Sequence, residues 1–155
     1  MKTSLVIVVV VALALNIAAE EKPKMNETVP SQVIEIQKQI ELLKAHKGKM
    51  PFLTIQEVGG DAIVQVSRAV AQGKASWSLN IAYYPSKERP AKALAAVGIS
   101  LPATWQEEQF EAGTVAQFGV PDTDSSKLPH FIHDLFGKFF KRPATYKIEC
   151  SIEDA

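Results

Sequence analysis

The chain has 155 residues, which is enough for one domain with one hydrophobic core. Its 17 Lys and Arg residues balance its 17 Asp and Glu residues, so we expect no general electrostatic attraction to nucleic acid or to anionic lipid. The chain has 1 cysteine, Cys150, and therefore no intrachain disulfide, so the core alone must stabilise the fold.

The first residues of the chain predict export. Residues 1–3 carry one positive side chain, residues 5–15 are uniformly apolar, and Ala18 and Ala19 precede an abrupt polar change at Glu20. This is the layout of a secretory signal peptide with cleavage after Ala19. The apolar run is shorter than the roughly 20 residues of a membrane span, so an uncleaved anchor is the less favoured alternative. The mature protein is then secreted or periplasmic, without stable membrane insertion.

A flexible lead-in and a helix come next. Residues 20–30 are polar and contain two prolines, which predicts a lead-in to a single domain over residues 31–155. Ser31 is predicted to cap a helix that runs to about His46. Its apolar residues recur three or four positions apart, so they form one stripe that needs a partner surface, most simply a sheet. The stripe consists of Val33, Ile36, Ile40 and Leu43.

Three strand-like segments follow the helix. Residues 52–58 and 62–67 flank a Gly-Gly-Asp sequence, whose paired glycines supply the positive φ angles of a tight hairpin turn. Residues 69–74 predict a longer and looser link to the third segment, residues 76–84. Apolar and polar residues alternate in that third segment, which predicts a strand with one buried face. The apolar set is Trp77, Leu79, Ile81 and Tyr83. Together the three segments predict an antiparallel meander.

The second half of the chain predicts two helices and two strands. A short helix over residues 90–97 stops at Gly98, and residues 114–118 predict a strand. Residues 121–126 predict a loop before a third helix, over residues 127–141. Seven apolar residues of this helix recur at helical spacing. They are Leu128, Phe131, Ile132, Leu135, Phe136, Phe139 and Phe140.

The last segment, residues 146–152, alternates apolar and charged or polar residues and predicts a half-buried strand. The element order is therefore helix, three strands, helix, strand, helix, strand. Clustered strands with helices between them predict an α+β fold of two layers. In it, helices pack on an antiparallel sheet made of the three-stranded meander and one or two further strands.

Two groups of side chains have site chemistry but also a simpler interpretation. His130, His133 and Asp134 lie three and four positions apart on the third helix, a spacing that suits metal ligation. They alternate with the apolar stripe, however, so we expect a solvated face and no metal ion. Cys150 has the chemistry of a nucleophile. Its place in the alternating last strand predicts a buried and inert thiol instead.

A third group is acidic. Glu107, Glu108 and Glu111 cluster near Trp105, and paired carboxylates beside an aromatic ring suit glycoside hydrolysis. The simpler interpretation is a charged loop or helix end. The chain has no phosphate-binding glycine loop, no serine elbow and no CxxC pair. We therefore predict no catalytic, cofactor-binding or metal-binding residues, and a protein that is not an enzyme.

One pattern in the middle of the chain resembles a known family. Residues 81–85 end a strand with two tyrosines and a proline, residues 94–102 follow an L-x-x-x-G-x-x-x-P pattern, and Trp105 comes next. This pattern is similar to the TY-Chap group, relatives of type III secretion chaperones and of YbjN-like proteins, over about residues 31–140. The resemblance implies a helix-flanked antiparallel sheet that binds a protein partner, and it implies no catalytic residues. The export segment and the last strand depart from the family, whose secretion chaperones are cytosolic.

The sequence thus predicts an exported, non-enzymatic, chaperone-like protein that holds a protein or peptide on its sheet face or at a sheet edge. The alternative is a small secreted hydrolase that uses the acidic residues near Trp105. A self-associating envelope scaffold is a third option. The partner and the oligomeric state do not follow from the sequence.

Overall fold

The computed structural model describes residues 28–155. The predicted signal peptide and most of the lead-in lie outside these described residues. Within the described residues, three α-helices and six β-strands follow one another. A 3₁₀ helix (Asp122–Lys127) precedes the third α-helix, and a π-helical segment (Leu135–Phe139) directly follows it. The elements are α1 (Ser31–Ala45), β1 (Pro51–Glu57), β2 (Ile63–Ala71), β3 (Lys74–Ile81), α2 (Pro90–Ala96), β4 (Gln106–Glu111), β5 (Val115–Pro121), α3 (Leu128–Asp134) and β6 (Ile148–Asp154).

The six strands form one antiparallel sheet in the order β4-β5-β3-β2-β1-β6. Alternate residues of β1, β2, β3 and β5 are buried, so one face of the sheet carries the core and the other stays polar. The α1 helix contacts α3, β1, β2 and β6. The predicted two-layer α+β fold is therefore confirmed, with one strand more than the sequence indicated.

The first helix forms because its apolar stripe meets the sheet. Val33, Ile36, Ile40 and Leu43 are all buried, as their spacing predicts. The predicted role of Ser31 is wrong: Pro30 occupies the capping position, and no side chain caps the helix. Burial of the stripe, rather than a cap, stabilises α1.

The turns of the meander differ from the prediction. Residues 58–62 join β1 to β2, and only the first of the two glycines there, Gly59, has a positive φ, at 72°. The loose link predicted over residues 69–74 is wrong, because β2 runs to Ala71 and pairs with Lys74 at the start of β3. Gln72 and Gly73 close this hairpin with φ angles of 51° and 75°. Two positive φ angles in a two-residue loop match the right-handed twist of the flanking strands.

The exposure of Tyr83 is the reverse of the prediction, which put this residue on the buried face of the third strand. The β3 strand ends at Ile81, and a turn over Ala82 and Tyr83 interrupts the alternation. Tyr83 is consequently 66% exposed and Tyr84 is fully buried.

The acidic segment after Trp105 was expected to be a loop or a helix end, and that expectation is wrong. It forms the edge strand β4, which pairs with β5 and has an irregular register between Glu107 and Gln109. The local sequence does not favour a strand, but β5 provides hydrogen-bond partners for the backbone of this segment.

The third helical region has three parts rather than the loop and uniform helix predicted. The 3₁₀ helix begins at Asp122, whose carboxylate accepts a hydrogen bond of 2.7 Å from Trp77 Nε1. After α3 the chain widens into the π-helical segment, where the Phe140 amide donates to the Leu135 carbonyl at 2.8 Å. Six of the seven predicted stripe residues are buried, and the seventh, Phe140, is half-buried.

The last strand confirms the predicted alternation. Tyr146 is buried just before β6, and Ile148, Cys150 and Ile152 pack partly buried against the core. The whole strand pairs with β1. Within residues 28–155, no helix has both the length and the apolar character needed to cross a membrane.

Candidate functional site

An open cleft of about 540 Å³ lies at the end of the sheet where β1 turns into β2. This volume falls within the roughly 300–1,000 Å³ typical of ligand-binding clefts. Four segments distant in sequence form its walls: the turn between β1 and β2, the loop after β3, the helix α2, and the chain that follows the π-helical segment. The cleft is therefore a product of the tertiary fold.

The floor of the cleft is apolar. Ala93 and Val97 of the α2 region contribute one side, and Phe139 and Phe140 contribute the other. The π-helical segment inserts one extra residue into this helical turn, and such insertions occur frequently at functional sites. Tyr83, on the turn after β3, lines the mouth with an aromatic ring that is 66% exposed.

The buried Tyr84 supports this floor from below. Its ring stacks on Phe139 with the centroids 5.4 Å apart and meets the edge of Phe110 at 5.7 Å. Its hydroxyl donates a hydrogen bond of 2.8 Å to the carbonyl of Glu88. Burial raises the pKa of Tyr84, so this hydroxyl keeps its proton and remains a donor. The loop that forms one wall of the cleft is thereby fixed to the core.

A charged cluster forms the opposite wall. Arg142 Nε lies 2.7 Å from Glu57 Oε2, and Arg142 Nη2 donates to Asp61 Oδ1 at 2.6 Å. The Arg142 amide also donates to the Phe136 carbonyl at 2.9 Å, which fixes the chain after the π-helical segment. The preceding residue, Lys141, has a φ of 57° and lines the cleft. These contacts join the turn between β1 and β2 to the end of the helical region.

Chemically, the cleft combines apolar floor atoms with rim groups of both signs. Asp61 and Glu88 each have one carboxylate oxygen in an ion pair, with Arg142 and Lys92, and the other oxygen is an acceptor. Lys141 supplies a donor. Such a surface suits an apolar group that carries polar groups of both kinds, and it has the concave shape of a binding site.

The two histidines and the aspartate whose spacing on the third helix suits metal ligation do not converge. His133 was expected on a solvated face, and that expectation is wrong: its ring stacks on Tyr146, and Nδ1 lies 2.8 Å from the tyrosine hydroxyl. Asp134 instead pairs with Lys138 at 3.1 Å, and His130 is exposed. Across residues 28–155, no three His, Cys, Asp or Glu side chains group closely enough to hold a metal ion. Burial lowers the pKa of His133 and raises that of Tyr146.

The acidic residues near Trp105 form contacts with different side chains. Glu107 pairs with Arg89 at 2.6 Å. Glu108 accepts hydrogen bonds from Ser78 Oγ at 3.2 Å and from Gln117 Nε2 at 2.9 Å, on the open face of the sheet. The two carboxylates therefore have separate structural partners rather than a shared target.

Cys150 lies where the alternation of β6 places it, partly buried against the core. Burial raises the pKa of its thiol to about 11. The thiol is therefore protonated at neutral pH and a poor nucleophile.

The residues that line the cleft were not predicted as a site. Phe139 and Phe140 were assigned only to the core stripe, and Tyr83 was assigned to the buried face of a strand. The sequence did contain one sign of the cleft, namely two adjacent phenylalanines at the end of the third helix. Neighbouring positions on a helix point in different directions, so one apolar stripe does not bury both rings equally.

No family model, curated protein or solved structure matches the chain. The likeness to the TY-Chap group stays a prediction drawn from residues 81–105. It bears on function only as support for a proposal.

Proposed function

We propose that this protein is an exported, non-enzymatic binding protein that holds a segment of polypeptide, and that the cleft beside Tyr83 receives an apolar side chain of that segment. The observation that carries the proposal is the combination of an apolar floor with a rim of both signs in an open cleft. The layout of residues 1–19 supports export. The resemblance to secretion-chaperone relatives supports a polypeptide partner.

The composition of the rim favours a peptide over a purely apolar ligand. A peptide backbone presents both N–H donors and C=O acceptors, and both need partners when they leave water. Arg142 and Lys92 contact only one carboxylate oxygen of Asp61 and of Glu88, so the second oxygen of each can accept a hydrogen bond. Lys141 forms no ion pair within residues 28–155 and can donate one. When an apolar side chain of a peptide occupies the floor, the peptide backbone beside it therefore meets rim groups that can form hydrogen bonds with its N–H and C=O groups.

The two edge strands of the sheet are poorly suited to pairing with a strand of a partner, so we favour binding in the cleft. The edge strand β4 carries Glu107, Glu108 and Glu111 and has an irregular register. The other edge strand, β6, carries Glu149, Glu153 and Asp154. Charged side chains and bulges on edge strands oppose the addition of another strand.

The open face of the sheet has less to offer a partner, because its polar groups bind one another. Gln65 Nε2 donates to Thr54 Oγ1 at 3.3 Å, and Asn80 Nδ2 donates to Gln65 Oε1 at 3.3 Å. A solvated polar face of this kind is ordinary in antiparallel sheets. We therefore place the partner in the cleft rather than on the sheet face.

A peptide array tests the proposal. The purified protein is applied to arrayed 12-residue peptides of random sequence, half of which contain one Leu, Phe or Trp and half of which contain none. We expect selective binding to the first set. Replacement Ala96→Arg places a long charged side chain in the cleft. It should weaken binding by about tenfold or more, because the bound apolar group would have to displace this side chain or lie against its charge.

Ala95→Arg is the matched control. Ala95 is exposed on the same helix but does not line the cleft, so this variant should bind like the parent. Equal binding by the parent and Ala96→Arg would show that the cleft is not the site. A broad hydrolase screen of the purified protein tests the hydrolase alternative, because activity that is lost in Glu107→Gln, Glu108→Gln or Glu111→Gln would contradict a non-enzymatic role.

A further inference from the structure

A second site lies at the opposite end of the sheet, where α1 ends and β1 begins. A cavity of about 180 Å³ is lined there by His46, Gly48, Lys49, Arg68 and the apolar residues beside them. We refer to this cavity as the basic pocket. Pro51 at the start of β1 and Val70 near the end of β2 also line it, which separates it from the cleft by the length of the strands.

Arg68 is the central side chain of the basic pocket. Its guanidinium carbon lies over the Trp77 ring, 5.6 Å from the ring centre, which is within the range of a cation–π contact. Its Nε atom is buried and has no hydrogen-bond partner among residues 28–155. No carboxylate of the described chain lies within 4.0 Å of the guanidinium nitrogens. A buried charged donor without an acceptor is unfavourable unless something else supplies one.

The surroundings of Arg68 are positively charged. Lys49 also lines the basic pocket and forms no ion pair within residues 28–155. The Asp154 carboxylate lies beside the basic pocket, 3.2 Å from His46 Nε2 and against Gly48. The two cations that line the pocket, Arg68 and Lys49, outnumber this carboxylate. Because the whole chain has equal numbers of acidic and basic residues, this excess is local.

We propose that the basic pocket binds a compact oxyanion, namely a phosphate or sulfate group. The planar guanidinium of Arg68 presents paired N–H donors that match two oxygens of such a group, and Lys49 adds a second cation. The small volume favours a compact anion over a larger ligand, since drug-sized ligands occupy clefts of roughly 300 Å³ or more. The cation–π contact with Trp77 favours this position of Arg68 in the absence of an anion. This site is independent of the polypeptide cleft.

Isothermal titration calorimetry tests the site. Inorganic phosphate, sulfate, glycerol 3-phosphate and acetate are each titrated into the purified protein at pH 7.5, with sodium chloride added to keep the ionic strength constant. We expect saturable binding of phosphate and sulfate at one site and weaker binding of acetate. Tight binding of glycerol 3-phosphate would support the site and point to an esterified phosphate, whereas preference for the free ions would support it and point to those.

Three variants localise the binding. Arg68→Gln should weaken phosphate binding by about tenfold or more, because it removes a charge-assisted pair of hydrogen bonds. Lys49→Gln should weaken it by about threefold, since Lys49 is exposed and its charge is partly screened. Lys47→Gln is the matched control: Lys47 is an exposed neighbour that does not line the basic pocket, and binding should stay within about twofold.

The Lys49 variant keeps the test valid if Arg68→Gln disturbs the fold, because an exposed side chain can be replaced without loss of core packing. Absence of saturable binding for both phosphate and sulfate would overturn the proposal. Equal weakening by Lys47→Gln and Lys49→Gln would also overturn it, because it would indicate diffuse attraction in place of a built site.

Discussion

Within residues 28–155, Gln72 and Lys141 are the two residues other than glycine that have a positive φ, at 51° and 57°. For an L-residue this conformation costs about 1–2 kcal/mol. Gln72 adopts it to close the two-residue hairpin between β2 and β3. Lys141 adopts it where the chain leaves the π-helical segment and turns toward Arg142, on the wall of the cleft. Backbone strain outside simple turns, as at Lys141, concentrates at functional sites, which agrees with the proposed role of the cleft.

The hairpin position yields a stability prediction. Asn tolerates the left-handed conformation better than Gln and is favoured before Gly in two-residue hairpins, so Gln72→Asn should raise the free energy of unfolding by about 0.5–1 kcal/mol. Gln72→Val should lower it by about 1 kcal/mol or more, because a β-branched residue is poorly tolerated at positive φ. Urea denaturation of both variants measures the changes. Opposite signs are expected, and a loss of stability in Gln72→Asn would contradict the assigned turn.

His133 gives a prediction about pH. Burial lowers its pKa in the folded protein, whereas the unfolded chain has a pKa of about 6.5. As the pH falls through that value, the unfolded state takes up the proton first, so the contribution of His133 to stability is present above about pH 6.5 and declines below it. The free energy of unfolding of the parent should therefore fall toward that of His133→Gln between pH 7.5 and pH 5.5.

Comparison of the two proteins isolates the histidine, since the other titrating groups are common to both. At pH 7.5 the variant should be less stable by about 1–2 kcal/mol, because it loses the contact with the Tyr146 hydroxyl and the ring stack. Chemical denaturation at each pH gives both values. A difference that stays constant or widens toward pH 5.5 would show that His133 is not buried in its neutral form.

The helical region after β5 contributes side chains to both the core and the cleft. Phe136 stacks on Tyr146 with the ring centroids 5.2 Å apart and meets Phe140 edge-on at 5.6 Å. Phe136 is fully buried, whereas Phe140 is half-buried and lines the cleft. One turn of helix thus places one aromatic ring in the core and another at the binding surface.

This division predicts unequal effects of two replacements. Phe136→Ala should cost about 3–5 kcal/mol, through lost transfer free energy and the cavity that remains. Since domains have about 5–15 kcal/mol of stability in total, this variant should be close to unfolding. Phe140→Ala should cost clearly less, because water already reaches its ring. Thermal melts compare the two, and a Phe136→Ala protein that melts like the parent would refute the placement of this ring in the core.

The elements that the sequence predicts well are those whose hydrophobic period is visible along the chain. The stripe of α1 and the alternation of β6 are of this kind. The strand β4 was missed because Phe110 is its only apolar residue, and its pairing depends on β5. The exposure of Tyr83 was missed because it depends on where β3 ends, and the alternation of apolar and polar residues continues past that end. The cleft was missed for a related reason, because four separate segments form it.

At the scale of the molecule, the sheet separates two surfaces of different chemistry. The cleft forms where β1 turns into β2, and the basic pocket forms where β2 approaches its turn to β3. The hydrogen-bonded sheet, with its five antiparallel strand pairings, separates the cleft from the basic pocket. A rigid layer of this kind holds each set of side chains in place, and no residue lines both the cleft and the basic pocket. Occupancy of one site should therefore have little effect on the other.

The predicted export concerns the whole molecule as well. The buried core of the described chain begins at Val33, on the C-terminal side of the predicted cleavage site. The short apolar run and the small residues before Glu20 predict that cleavage occurs after Ala19. When the full chain is expressed in a bacterial host, intact-mass spectrometry of the periplasmic or secreted protein should show Glu20 as the N-terminus. Ala19→Lys should block this cleavage, because the site requires a small residue. Recovery of the parent from the membrane fraction with residue 1 still attached would instead indicate an anchor.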